Sequence, residues 1–106
     1  MPKKYFKIDL PDGSQIHVFF ETASGIIVNF VVKLVIKYKS RYYEIVRFDT
    51  AHDCPHKDIL DKKGNILRKT WFEFLDNKQA LDLAIKDLKD NREIYIERFK
   101  KWLKKK

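Results

Sequence analysis

Ile26-Ile27-Val28-Asn29-Phe30-Val31-Val32-Lys33-Leu34-Val35-Ile36-Lys37-Tyr38 is the stretch that decides the fold. Its even positions, Ile26, Val28, Phe30, Val32, Leu34, Ile36 and Tyr38, are all apolar. Its odd positions mix Ile27, Val31 and Val35 with Asn29, Lys33 and Lys37. Successive side chains of an extended chain point to opposite faces, so this period of two predicts a long strand with one fully buried face. The other face, apolar at Ile27, Val31 and Val35 before it turns charged, is half covered or meets a partner.

Outward from this strand the same alternation continues. Tyr5 to Leu10, the turn Pro11-Asp12-Gly13-Ser14, and Gln15 to Glu21 predict a hairpin, because proline presets φ and glycine accepts a positive one. Lys39-Ser40-Arg41 is a tight connection into a strand over Tyr42 to Phe48. A loop over Asp49 to about Lys57 follows, then a second hairpin in which Ile59-Leu60 and Ile66-Leu67 flank a turn with Gly64 left-handed. Lys69 to Leu75 is a short strand or an extended approach to a helix. Asp76 and Gln79 are spaced as a capping box. Beyond them no Gly or Pro occurs, and Leu81, Ala84, Ile85, Leu88, Tyr95, Phe99 and Trp102 recur at spacings of three and four. Asp82 with Lys86, and Glu97 with Lys101, stand four apart in the favourable order for ion pairs. The expected fold is α+β: one domain over residues 1–106, an antiparallel sheet of about five strands, and a long C-terminal amphipathic helix on one face. About 25 helical residues would reach about 38 Å, more than so small a core covers, so the last turns are expected to protrude.

At 106 residues, 44% hydrophobic and 36% charged, the chain is long enough for one core and no more. No stretch is apolar and long enough to span a bilayer, and no signal peptide is recognisable. The single cysteine, Cys54, cannot form an internal disulfide, which fits a reducing, cytoplasmic setting. Much Lys and Ile with little Gln, Met and Cys is a thermophile-like composition. Six basic and no acidic residues between Arg98 and Lys106 carry six of the formal net charge of +8, leaving +2 for residues 1–97. Such a run attracts phosphates without reading sequence, or simply solvates a helix end whose dipole it suits.

The chemically dense segment is Val46-Arg47-Phe48-Asp49-Thr50-Ala51-His52-Asp53-Cys54-Pro55-His56-Lys57-Asp58. Three readings of it stay open. His52, Cys54, His56 and an aspartate are all legitimate zinc ligands; His-x-Cys-x-His nevertheless matches no standard structural zinc spacing and no second ligand cluster follows, so no metal is expected. In the second reading, His52 and His56 exchange protons with a phosphodiester as general base and acid, in either order. Arg47 and Lys57 then hold the phosphate, Asp49 or Asp53 fixes a tautomer, and Lys100, Lys101 and Lys104 steer the polynucleotide. In the third, Asp49 and Thr50 shape a local turn and both imidazoles are hydrogen-bonded parts of the scaffold. Gly13, Gly25 and Gly64 each stand alone in a turn, so no phosphate-cradling loop and no cofactor are expected.

The strand ending in Val46-Arg47-Phe48-Asp49-Thr50-Ala51-His52, then Pro55-His56-Lys57-Asp58, the Gly64 hairpin and the capped helix with Leu83-Ala84-Ile85-Lys86-Asp87-Leu88-Lys89-Asp90-Asn91 resemble the TumE-like family of small toxins of toxin–antitoxin pairs. The resemblance covers about Ile26 to Phe99. It implies a cytoplasmic protein, a helix-turn-helix antitoxin as partner, and cleavage of messenger RNA; joined to the second reading above, the expected function is a metal-independent endoribonuclease acting on single-stranded RNA. The matching positions are Arg47, Asp49, His52, His56, Lys57 and Asp58; Asp53 stands where related sequences commonly have glycine. The alternative function is a non-catalytic protein- or nucleic-acid-interaction module. In it, Ile27, Val31 and Val35 form a homodimer or partner surface, and the basic helix end makes contacts.

Overall fold

Two of the strand connections are two-residue turns in which both residues have positive φ: Ser24 and Gly25 (51° and 78°), and Lys39 and Ser40 (49° and 67°). Turns of this hand match the right-handed twist of the strands they join, so each forces its neighbours into an antiparallel hairpin. In the computed structural model, which describes residues 2–51 and 54–104, six strands follow one another as a meander. They are β1 (Lys3–Asp9), β2 (Gln15–Ala23), β3 (Ile26–Tyr38), β4 (Arg41–Asp49), β5 (His56–Leu60) and β6 (Ile66–Trp71). One helix, α1 (Asn77–Lys104), packs against the sheet. This is the expected α+β architecture with one more strand.

The largest difference is in β5, which starts at His56 and not at the expected Ile59. The loop expected to reach Lys57 ends at Pro55, because His56, Lys57 and Asp58 pair with Asp49, Phe48 and Arg47 of β4. β6 then takes in Lys69 to Trp71, which pair with Asp58 to His56.

The core lies between the sheet and α1. Ile16, Val18, Phe30, Val32, Leu34, Ile36, Val46 and Phe48 meet Ala80, Leu81, Ala84, Leu88 and Phe99. Three bulges adjust the alternation; the one between β5 and β6 leaves Leu67 as the extra residue. Between Glu21 and Thr22 the partner on β3 steps from Asn29 to Ile27, so Val28 is an extra residue. Ile27 consequently packs against the helix-side core. It does not share a face with Val31 and Val35, which corrects the expected three-residue partner surface. In β4 the extra residue is Ile45, and both Ile45 and Val46 are buried.

The helix begins at the reciprocal cap expected from its spacing. The Gln79 amide donates to Asp76 Oδ1 at 2.8 Å, and the Asp76 amide donates to Gln79 Oε1 at 3.0 Å. The charged pairs differ from expectation: Asp82 takes Lys78 at 2.6 Å and Lys86 takes Asp90 at 2.7 Å. Nor do the last turns swing free. At about 3.3 Å per residue, the 13 residues of β3 run about 43 Å. The 28 residues of α1, at 1.5 Å each, run about 42 Å, so strand and helix match in length. Phe99 is 2% exposed and its ring meets Tyr43 at 5.2 Å.

Candidate functional site

Alternation along β4, β5 and β6 sends Asp49, His56, Asp58, Lys69 and Trp71 to the sheet face away from α1. There His56 is 2% and Asp58 2% exposed, unusual burial for side chains with no helix over them. The imidazole is bonded on both sides. Its Nδ1 lies 3.0 Å from the Cys54 carbonyl oxygen. Its Nε2 lies 3.0 Å from Asp49 Oδ1 and 3.6 Å from Asp58 Oδ2. Asp49 Oδ1 also accepts the Ala51 amide at 2.9 Å, a local turn like the one read from the sequence. The Trp71 ring tilts against the imidazole at 4.9 Å. Lys69 Nζ stands 3.2 Å from Asp58 Oδ1 and 5.1 Å from the centre of the Trp71 ring. That approach is an ion pair without hydrogen-bond alignment, so the buried Asp58 Oδ1 has no hydrogen-bond donor among the described residues. Two carboxylates, an imidazole and an ammonium group thus share a site where an unpaired charge would be strongly unfavourable.

The other expected site residues are dispersed. Arg47 shares the face of the cluster, but its Nε donates to Glu44 Oε2 at 2.6 Å, and Lys33 reaches the same carboxylate at 3.2 Å. Its guanidinium is thus held on Glu44 and not turned to the imidazole. Lys57, between His56 and Asp58, points through to the helix side by strand alternation. There its Nζ donates to the Tyr95 hydroxyl at 3.2 Å and stands over the Phe48 and Tyr95 rings. Lys57 and the cluster therefore cannot hold one phosphate together. Tyr95 in turn donates to Asp87 at 2.5 Å; burial first, then the bond to Asp87 and its charge, push the phenol pKa up. Cys54 is half-buried, its Sγ 3.6 Å from the Pro55 carbonyl. His52 and Asp53 lie outside the described residues.

Lys100, Lys101 and Lys104 sit at the far end of the molecule. Asp49 pairs with Val31, and Tyr38, seven residues on, is about 23 Å further along β3 at 3.3 Å per residue. At that end the helix terminus meets the β3–β4 hairpin: Lys100 Nζ stands 5.6 Å from the Tyr38 ring centre. The hairpin brings three more cations, Lys37, Lys39 and Arg41, all exposed. Lys37 stacks over Tyr42 at 5.6 Å and Lys39 over Tyr38 at 5.5 Å. Tyr42 is 63% and Trp102 42% exposed. No acidic residue occurs in 36–43 or 98–104. Sequence reading missed Lys37, Lys39 and Arg41 because they lie about sixty positions from the tail. It missed Lys69 and Trp71 because their pairing with β5 appears only in the register.

Fold and site together define a small α+β protein, an antiparallel meander backed by one helix, with a buried Asp–His–Asp cluster and a basic, aromatic end. It belongs to the family described as a domain of unknown function, DUF7718, whose model matches residues 1–105. No curated protein and no solved structure matches the chain. No helix among the described residues is long and apolar enough to cross a membrane.

Proposed function

We propose that the chain binds single-stranded nucleic acid, RNA foremost, at the end built from the β3–β4 hairpin and the terminus of α1. The observation that carries this reading is that the α1 terminus, with Lys100, Lys101 and Lys104, meets the β3–β4 hairpin, with exposed Lys37, Lys39 and Arg41, where Lys100 stands over Tyr38. Exposed Tyr42 pairs with Lys37 on the sheet face away from α1, and exposed Trp102 lies beside Arg98 on the β5–β6 side of the helix. Cations release the counterions condensed on phosphates, and aromatic rings stack on bases whatever their sequence. A single strand fits better than a duplex because stacking needs bases free of partners. The proposed activity is binding without cleavage. Of the two imidazoles expected to act on a phosphodiester, His56 is closed at both nitrogens and buried.

Fluorescence anisotropy with labelled single-stranded RNA, single-stranded DNA and duplex probes tests the reading. The affinity for a single strand is expected to fall with salt by about 0.7 log unit per log unit of salt for each phosphate neutralised. The triple change Lys37→Glu, Lys39→Glu, Arg41→Glu is expected to flatten that slope. Tyr42→Ala is expected to cost about 1–3 kcal/mol if a base stacks on it. Salt-independent binding, or full affinity in the hairpin triple variant, overturns the proposal.

A further inference from the structure

We infer that Asp49, His56 and Asp58 form a binding site for one divalent transition-metal ion, of which zinc is the representative. Three donor atoms, His56 Nε2 and one carboxylate oxygen from each aspartate, lie within 4.8 Å of one another. Two ligands on a tetrahedral ion, each about 2.0–2.1 Å from it, are about 3.3 Å apart. The distances from Nε2 to the two aspartates, 3.0 and 3.6 Å, bracket that value. Both imidazole–carboxylate separations are thus those of a chelate.

The imidazole is oriented for the same role. Its Nδ1 faces the Cys54 carbonyl, an acceptor only, so Nδ1 must carry a proton. In the neutral ring Nε2 then holds the lone pair, aimed between two carboxylates. Three electron-rich atoms facing inward need a cation among them, either a proton on Nε2 or a metal ion. A histidine fixed through its other nitrogen by a backbone carbonyl is the usual outer shell of a metal ligand.

An independent sign comes from Asp58. Its side chain is 3% exposed, yet Oδ1 has no hydrogen-bond donor among the described residues. Asp58 would hold an ion through Oδ2, the oxygen facing Nε2 at 3.6 Å, while Oδ1 keeps its ion pair with Lys69. Lys69 keeps the local charge within one unit of neutrality whether a proton or a divalent ion fills the centre. One imidazole with two carboxylates suits zinc, manganese, cobalt or nickel rather than soft copper(I) or the all-oxygen shells of calcium and magnesium. Three protein ligands leave a further position open, and Asp49, with its side chain 11% exposed, is the member nearest solvent. The ligand set differs from the sequence-level candidate of His52, Cys54 and His56, because strands β4 and β5 unite residues that the local spacing does not.

Untagged full-length protein, stripped with a chelator and dialysed, is titrated with zinc against a chromophoric competitor. One ion per chain and a rise in melting temperature are expected. Asp49→Asn, which leaves the Lys69–Asp58 pair in place, is expected to weaken binding by at least about 10-fold, the lower end of the loss seen when a mere outer-shell partner of a ligand is changed. Cys54→Ser and His17→Ala are expected to leave it unchanged. Nitrogen NMR of His56 in the wild type keeps the test valid if variants fold poorly: zinc must shift Nε2 and leave Nδ1 protonated. No saturation at micromolar zinc, unchanged affinity in Asp49→Asn, or an unshifted Nε2 in the zinc-loaded chain each refutes the site and leaves a buried ion-pair network.

Discussion

Phe99→Ala tests whether the helix terminus is seated on the sheet, on which the basic end depends. Phe99 is 2% exposed and its ring lies 5.2 Å from that of Tyr43 at an interplanar angle of 55°. Truncating a buried phenylalanine costs about 3–5 kcal/mol, from lost transfer free energy and the cavity left behind. The tilted aromatic contact accounts for about 1 kcal/mol of that range. A stabilisation of only about 5–15 kcal/mol is usual for a domain, so the loss is a large share of the total. At about 4–8 °C per kcal/mol for a domain of nearly this size, the melting temperature should fall by at least about 12 °C. Urea unfolding followed by far-UV circular dichroism measures the cost, with Ile94→Ala, on the same helix and 48% exposed, as the control. That control should change stability by less than about 1 kcal/mol. RNA affinity should fall with Phe99→Ala as well, because the helix lysines lose their place beside Tyr38. If Phe99→Ala costs no more than Ile94→Ala, the terminal turns are not docked and the convergence of the two cationic segments is refuted.

Two further outcomes follow from the geometry. Asp76→Ala removes the acceptor for the Gln79 amide and leaves only the bond from the residue-76 amide to Gln79 Oε1; a cost of about 1 kcal/mol is expected in urea unfolding, and none would mean that the side-chain cap adds nothing to the first turn. Burial, then the charges of Lys7 and Lys33, hold the His17 pKa below its ordinary 6.5. Because the folded value is the lower one, His17 contributes stability that is present above about pH 6.5 and lost as pH falls through its folded pKa. Proton NMR should place its midpoint below 6.5, and His17→Gln should reduce the loss of stability between pH 7 and 5; a midpoint at or above 6.5 refutes this.

Legibility followed the range of the interactions. The alternation of Phe30, Val32, Leu34 and Ile36, the Asp76–Gln79 cap and the left-handed Gly64 are each set by neighbours a few residues apart, so the chain alone showed them. The extra residue at Val28 was invisible, since unbroken alternation cannot reveal that a partner strand skips a position; it sent Ile27 to the helix side. The start of β5 was hidden for the same reason. Once His56 pairs with Asp49, alternation puts Lys57 on the opposite face and gathers Asp58 and Lys69 beside the imidazole.

By itself the sequence determined the kind of fold: where strands alternate, where turns need positive φ, where a capped helix begins, and that one domain with a strongly basic tail results. The tertiary structure alone decided which charges meet. It brought the hairpin of Lys37, Lys39 and Arg41 against the helix end at Tyr38, held Arg47 on Glu44, and enclosed His56 between two carboxylates. Local propensity is a property of adjacent residues, whereas charge pairing and burial depend on the register between strands distant in the chain.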